Sequence, residues 1–241
     1  AVKRQGTSME LNQSVALITG ANRGLGLAFV KALKAAGAKK IYAAVRDPSS
    51  VSIEGVEVIK LDVTNQAEIA AAAKQCGDVN LVINNAGIAR GTSFSVDNTI
   101  EAARAEMETN YFGPLLVARA FQPILKANGG GALVNVLSVL SWLNFPSVAT
   151  YSASKAAAWS LTNGLRGELR EQHTLVVAVH VGYMDTDMAS HVDGPKSAPK
   201  DVVEKVLQAV IAGDEEVLAD DISNQVKLGL GATPGVYLQP R

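Results

Sequence analysis

One cysteine, three histidines and no long apolar run narrow what this 241-residue chain can be before any motif is read. Cys76 has no partner for a disulfide, and a lone thiol cannot build a zinc site. His173, His180 and His191 stand at no metal-ligand spacing, so no metal is expected. Nothing approaches the roughly 20 consecutive apolar residues that a membrane helix requires. An excess of one charge is missing too. The 22 Lys and Arg against 23 Asp and Glu leave a net charge of -1, which gives no general pull toward nucleic acid or anionic membranes. The first eight residues carry Lys3 and Arg4 but no apolar stretch behind them, so they do not read as a secretory signal. Met9 reads as a native start, with residues 1–8 an added or disordered lead and 9–241 a single domain in a cytoplasmic setting.

What is present is a large supply of core material. Apolar residues make up 48% and charged residues 19%, a balance that excludes a disordered chain. Short apolar runs alternate with helical stretches. The runs are Val15–Thr19, Lys40–Val45, Val56–Leu61, Asn80–Asn84, Ala132–Leu137, Leu175–Val181 and Glu216–Ala219. Between them lie expected helices at Gly24–Ala36, Asn65–Gln75, Asp97–Asn110, Pro114–Lys126, Thr150–Glu171 and Asp201–Ala212. Strand-length runs separated by helices predict a mainly parallel, seven-stranded, doubly wound α/β sheet of the Rossmann type.

The first run leads into Gly20-Ala21-Asn22-Arg23-Gly24-Leu25-Gly26, where a helix begins. Glycines at such a turn let backbone amides approach a pyrophosphate, and the helix start adds partial positive charge. The spacing G-x-x-x-G-x-G differs from the G-x-G-x-x-G of the longer dehydrogenases. The second run ends Ala44-Val45-Arg46-Asp47. An acid at that end would bond the adenosine ribose hydroxyls, and Val45 cannot. Arg46 offers a charged fork suited to a 2′-phosphate, with Arg23 a second candidate, so NADPH is expected over NADH. Asp47 is the rival reader of the ribose.

With further motifs the chain resembles the short-chain dehydrogenase/reductase family over nearly its whole length. The glycine loop is followed by Asp62-Val63, by Asn84-Asn85-Ala86-Gly87 like the family's N-N-A-G, and by Asn110 in Asn-Tyr-Phe-Gly. Ser138 then stands thirteen residues before Tyr151, and Tyr151-Ser-Ala-Ser-Lys155 matches the family's Y-x-x-x-K. The resemblance implies a catalytic set of Asn110, Ser138, Tyr151 and Lys155. It implies cofactor contacts from Gly20, Asn22, Arg23, Gly24, Leu25, Gly26, Arg46, Asp62, Val63, Asn85, Ala86, Gly87, Tyr151, Lys155, Gly182 and Thr186. It also implies a homodimer or homotetramer. One departure is Val181-Gly182 where the family usually has Pro-Gly.

Tyr151 and Lys155 are four apart on an expected helix and so share a face. A nearby ammonium is expected to pull the phenol below its ordinary pKa of about 10. The phenol could then exchange a proton with a carbonyl or alcohol oxygen. Ser138 would hold that oxygen, with Ser141 a rival hydroxyl. Asn110, by the resemblance, would anchor water linking Lys155 to solvent. The expected activity is hydride transfer between NADPH and a ketone or aldehyde. Candidate pocket residues are Ile88, Arg90, Trp142, Leu143, Asn144, Phe145, Tyr183, Met184 and Met188, a mostly apolar set. The alternatives are a reductase specialised for a ketoacyl thioester or steroid, a non-catalytic NADP-binding regulator, and a cofactor-independent lyase or dehalogenase.

Overall fold

A computed structural model describes residues 9–184 and 196–238. Within it, seven parallel strands form one sheet in the order β3-β2-β1-β4-β5-β6-β7. They are β1 (Val15–Thr19), β2 (Lys40–Val45), β3 (Glu57–Lys60), β4 (Leu81–Asn84), β5 (Ala132–Val136), β6 (Leu175–His180) and β7 (Glu216–Leu218). The helices are α1 (Gly24–Ala35), α2 (Gln66–Gln75), α3 (Thr99–Met107), α4 (Gly113–Ala127), α5 (Ala149–Glu168), α6 (Pro199–Ala212) and α7 (Asp221–Gly229).

Strand alternation explains why both faces are covered. Ala16 and Ile18 of β1 pack with Phe29 and Leu33 of α1 and Val203 and Val206 of α6 on one face. Val15 and Leu17 pack with Val117 and Phe121 of α4 and Leu165 of α5 on the other. Every residue of β1 is buried, so the strand reads as one continuous apolar run. Local chemistry sets the helix limits. Gly37 turns the chain after α1 at φ +75°, a conformation glycine adopts without steric cost. Asn65 caps α2 by accepting from the Glu68 amide at 3.1 Å, and Gly213 ends α6 in the left-handed region.

Strand order reverses between β1 and β4, which opens a crevice at the carboxyl ends of those strands. The glycine loop after β1, the Asn85–Gly87 turn after β4 and Ser138 after β5 all meet at that edge.

Three features depart from the sequence expectations. The helices expected at 97–110 and 114–126 run into one another through a π-helical turn, Glu108–Phe112. α7 was not expected at all. The Asn80, Leu137 and Val181 ends of expected strands lie just outside β4, β5 and β6. The expectation for residues 1–8 concerns positions outside the described residues. No helix among the described residues is long and apolar enough to cross a membrane, and they hold no cluster of three potential metal ligands.

Candidate active site

The glycine loop is shaped by positive backbone angles and by steric need. Gly20 has φ +63° and Gly24 φ +53°. A Cβ on Gly26 would collide with the Gly20 carbonyl and the Asn85 amide, so only glycine fits there. Thr19 and Asn85 lock the loop from below. The Thr19 hydroxyl accepts from the Asn85 and Ala86 amides, each at 3.0 Å, while Asn85 Nδ2 donates to the Thr19 and Gly20 carbonyls. A bare backbone cradle at the start of α1 fits a bound pyrophosphate.

The other expected cofactor residues divide. Asn22, Arg23 and Arg46 are exposed around the cradle. Leu25 is buried with α1 in the core, which leaves only its backbone amide for a ligand. Asp62 accepts from the Thr64 amide and hydroxyl, and Val63 is buried against Gly113. Gly87 leaves room for Lys155: a Cβ there would lie 3.7 Å from Nζ and 3.3 Å from Asn110 Oδ1. Asp47 spends its carboxylate on the Ser49 amide and hydroxyl, bonds that hold it below the usual carboxylate range. Thr186 and Met188 lie outside the described residues.

Tyr151 and Lys155 project from α5 toward the end of β5. Lys155 Nζ lies 5.7 Å from the centre of the Tyr151 ring and donates to the Val136 carbonyl at 3.1 Å. Burial lowers the Lys155 ammonium to about 8. The expected drop in the Tyr151 pKa is reversed. Burial of the phenol raises it most, Ser138 hydrogen-bonds it and opposes the rise, and the nearby Glu106 and Tyr183 add to it. Partial withdrawal of the phenol from water disfavours its charged form.

Ser138 rather than Ser141 faces the phenol. Ser141 is employed as a local cap, its hydroxyl accepting from the Ser138 amide, while the Ser138 hydroxyl accepts from the Leu140 amide at 3.0 Å. Asn110 sits on the π turn and is buried. Its side chain accepts from the Ile88 amide and donates to the Ile88 carbonyl and to Ser154, all at 2.9 Å. Both hydrogens of the side-chain amide are engaged in these bonds, and its oxygen keeps a second lone pair. The side chain fastens the stretch after β4 to α5. The widened π turn is what places it there.

Sequence reasoning missed several groups. Glu106 is fully buried on α3, where it accepts from the Thr150 hydroxyl at 2.7 Å, and desolvation raises its pKa. Asp220 caps α7 through Ser223 and also accepts from the Gly182 amide at 2.7 Å and the Ser197 hydroxyl at 3.1 Å. Its signal was readable as Asp-x-x-Ser, a helix-cap spacing. Asn84 donates to Asn135 and Asn135 to Thr162, a buried polar ladder behind the site that gave no local signal.

A cleft of about 410 Å³ is lined by Arg90, Thr92, Ser93, Val96, Asn98 and Ser147, among others; of the expected pocket residues it holds Arg90. It adjoins the start of α5, where the Thr150 amide donates to the Thr92 carbonyl. Trp142 and Leu143 are not in that cleft but pack in a small core cluster, and Asn144 bonds the Ala149 carbonyl.

Comparison with known proteins places this geometry. A family model described as short chain dehydrogenase matches residues 14–196. A short chain dehydrogenase from Burkholderia cenocepacia, solved in complex with NADP, is 42% identical, with 96% of this chain and 100% of that chain covered and a TM-score of 0.92. An NADPH-bound carbonyl reductase from chicken fatty liver is 28% identical over 82% of this chain and 91% of its own, with a TM-score of 0.73. A relative from Burkholderia phymatum, solved with NAD, is 25% identical over 97% and 99%, with a TM-score of 0.84.

Proposed function

This chain belongs to the short-chain dehydrogenase/reductase family, and we propose that it is an NADPH-dependent carbonyl reductase working in reverse as an alcohol dehydrogenase. The observation that carries the reading is the convergence of Tyr151, Ser138 and Lys155 at the strand edge beside the glycine cradle.

The bound cofactor supplies the hydride; the residues of this chain handle the oxygen and its proton. Ser138 holds the carbonyl oxygen at the Tyr151 phenol. Tyr151 donates its proton to that oxygen as charge develops there, and in oxidation takes the proton back. Lys155, within reach of the ring and sparingly solvated, balances the phenolate that remains. Asn110 keeps Ile88 and α5 in register so that the groups meet. Gly182, tied to Asp220, fixes the backbone on the substrate side.

For the cofactor, exposed Arg23 and Arg46 and the local employment of Asp47 support a 2′-phosphate reader over a ribose acid. The NADP and NADPH held by two of the solved relatives agree with that choice. For the substrate, the chicken carbonyl reductase supports a ketone or aldehyde. Exposed Phe94, Ile100 and Phe112 near α3 and α4 support assembly as a homodimer or homotetramer.

The test is NADPH consumption across a panel of ketones and aldehydes, with the alcohol identified as product. Stoichiometric alcohol supports the proposal. No consumption with any member, by protein that binds NADPH, sinks it in favour of a regulator.

A further inference from the structure

We infer that His180 is a positioning residue, whose neutral imidazole supports the carbonyl of Ser138 and so sets where the serine hydroxyl meets the Tyr151 phenol. The inference rests on the Ser138–Tyr151 reading above and adds a residue to it.

His180 is the last residue of β6 and is fully buried. Its Nδ1 lies 3.4 Å from the Ser138 carbonyl oxygen, which also accepts from the Ser141 amide at 2.9 Å. A carbonyl only accepts, so a hydrogen bond here requires the proton on Nδ1. The chain then turns over the ring. Trp142, four residues after Ser138, stacks on the imidazole with centroids 3.8 Å apart and planes 19° apart. Trp159 of α5 meets Trp142 edge-on at 6.1 Å. The serine turn is thus held at an edge and a face of one rigid ring. The backbone adds a third tie, since the Val139 amide donates to the Val181 carbonyl.

Burial keeps the ring neutral. Nε2 has no hydrogen-bond partner and lies 4.0 Å from Glu216 Oε2 on β7. Glu216 is ion-paired with Lys227 of α7, whose ammonium also sits 6.0 Å from the Trp142 ring. Burial pushes the imidazole down to about 4; the Ser138 carbonyl and Glu216 oppose this, and Lys227 and Arg166 of α5 reinforce it. A neutral Nδ1–H tautomer is left, one donor aimed at one carbonyl.

Two substitutions separate the hydrogen bond from the packing. His180→Phe keeps the stacked ring and loses the donor. His180→Asn keeps a donor at the Nδ1 position and loses the stack. Turnover of a carbonyl substrate that the parent protein reduces with NADPH, nicotinamide fluorescence titration and thermal unfolding are measured for both. His180→Phe should lower kcat about fivefold with the NADPH Kd unchanged. His180→Asn should hold kcat within about twofold while unfolding at a lower temperature. A kcat within twofold of the parent for His180→Phe overturns the inference. So do equal losses in both variants that track unfolding temperature. Independently of any substrate, ¹⁵N NMR reads the tautomer: an Nδ1–H imidazole supports the inference and an Nε2–H imidazole overturns it. Ser138→Ala is the control for the underlying reading. If it leaves turnover intact, that reading fails and the inference falls with it. If it is inactive while His180→Phe is unaffected, the inference alone fails.

Discussion

Replacing Lys155 by methionine separates what the lysine does for the reaction from what it costs the fold. The side chain is buried, 6% exposed, and desolvation lowers its ammonium from 10.5 to about 8. At neutral pH the folded protein therefore holds a charge that the unfolded chain would solvate better. The difference of about 2.5 pKa units corresponds to about 3 kcal/mol of destabilisation. Methionine removes that cost and forfeits the bond to the Val136 carbonyl, worth about 1 kcal/mol. The net gain is about 2 kcal/mol, or an unfolding temperature higher by roughly 4–8 °C for a chain of this size. The sign with pH follows from proton counts. A folded pKa below the unfolded one means the unfolded chain binds more protons between pH 8 and 10.5. The lysine protein should gain stability across that window, and the methionine variant should not. Thermal unfolding of both, cofactor-free and at one protein concentration, checks this at pH 7 and pH 10. A gap that favours methionine at pH 7 and shrinks at pH 10 agrees. A gap that does not change with pH, or a less stable methionine variant at pH 7, refutes the reasoning. Turnover should be lost in the variant at either pH.

Three other outcomes follow from the same structure. Arg46→Ala should raise the NADPH Kd at least tenfold and leave that of NADH within about twofold, since only one cofactor carries the 2′-phosphate; fluorescence titration reads both. Gly26→Ala should abolish binding of either cofactor, because its methyl would strike the Gly20 carbonyl; binding at parental affinity would show that the cradle is elsewhere. Glu106→Gln should stabilise the protein at neutral pH and not at pH 4. The raised carboxyl pKa means the folded protein binds more protons there, so stability falls as pH rises above the ordinary carboxylate range. Denaturant unfolding at the two pH values distinguishes this from an effect that ignores pH.

The fold was legible because strand and helix periods are local. The limits read for β1 and β2 coincide with those observed, since turn residues bound each run. The order of Ser138, Tyr151 and Lys155 was equally legible, as spacing on one helix and one strand end is a property of the chain. What escaped depended on contacts between distant residues. Asn110 reads as a helix terminus in sequence, but it lies on a π turn that brings it to Ile88 and Ser154. Trp142 reads as a pocket wall because it is apolar and near the site, yet His180 supplies a face for it to stack on. The rise in the Tyr151 pKa arises from burial, and the Tyr-x-x-x-Lys spacing carries no information about that. α7 hid because its stretch is short and exposes Ile222 and Leu228, while Asp220 gathers Gly182, Ser197 and Ser223 from three places in the chain.

The central claim is that the Tyr151 hydroxyl moves the proton. Tyr151→Phe tests it most directly, because it removes one oxygen and keeps the ring. The variant is titrated with NADPH and then assayed with a carbonyl substrate turned over by the parent protein. The account predicts that NADPH still binds and that turnover falls by about a hundredfold or more. Turnover near that of the parent, with NADPH bound, would contradict it.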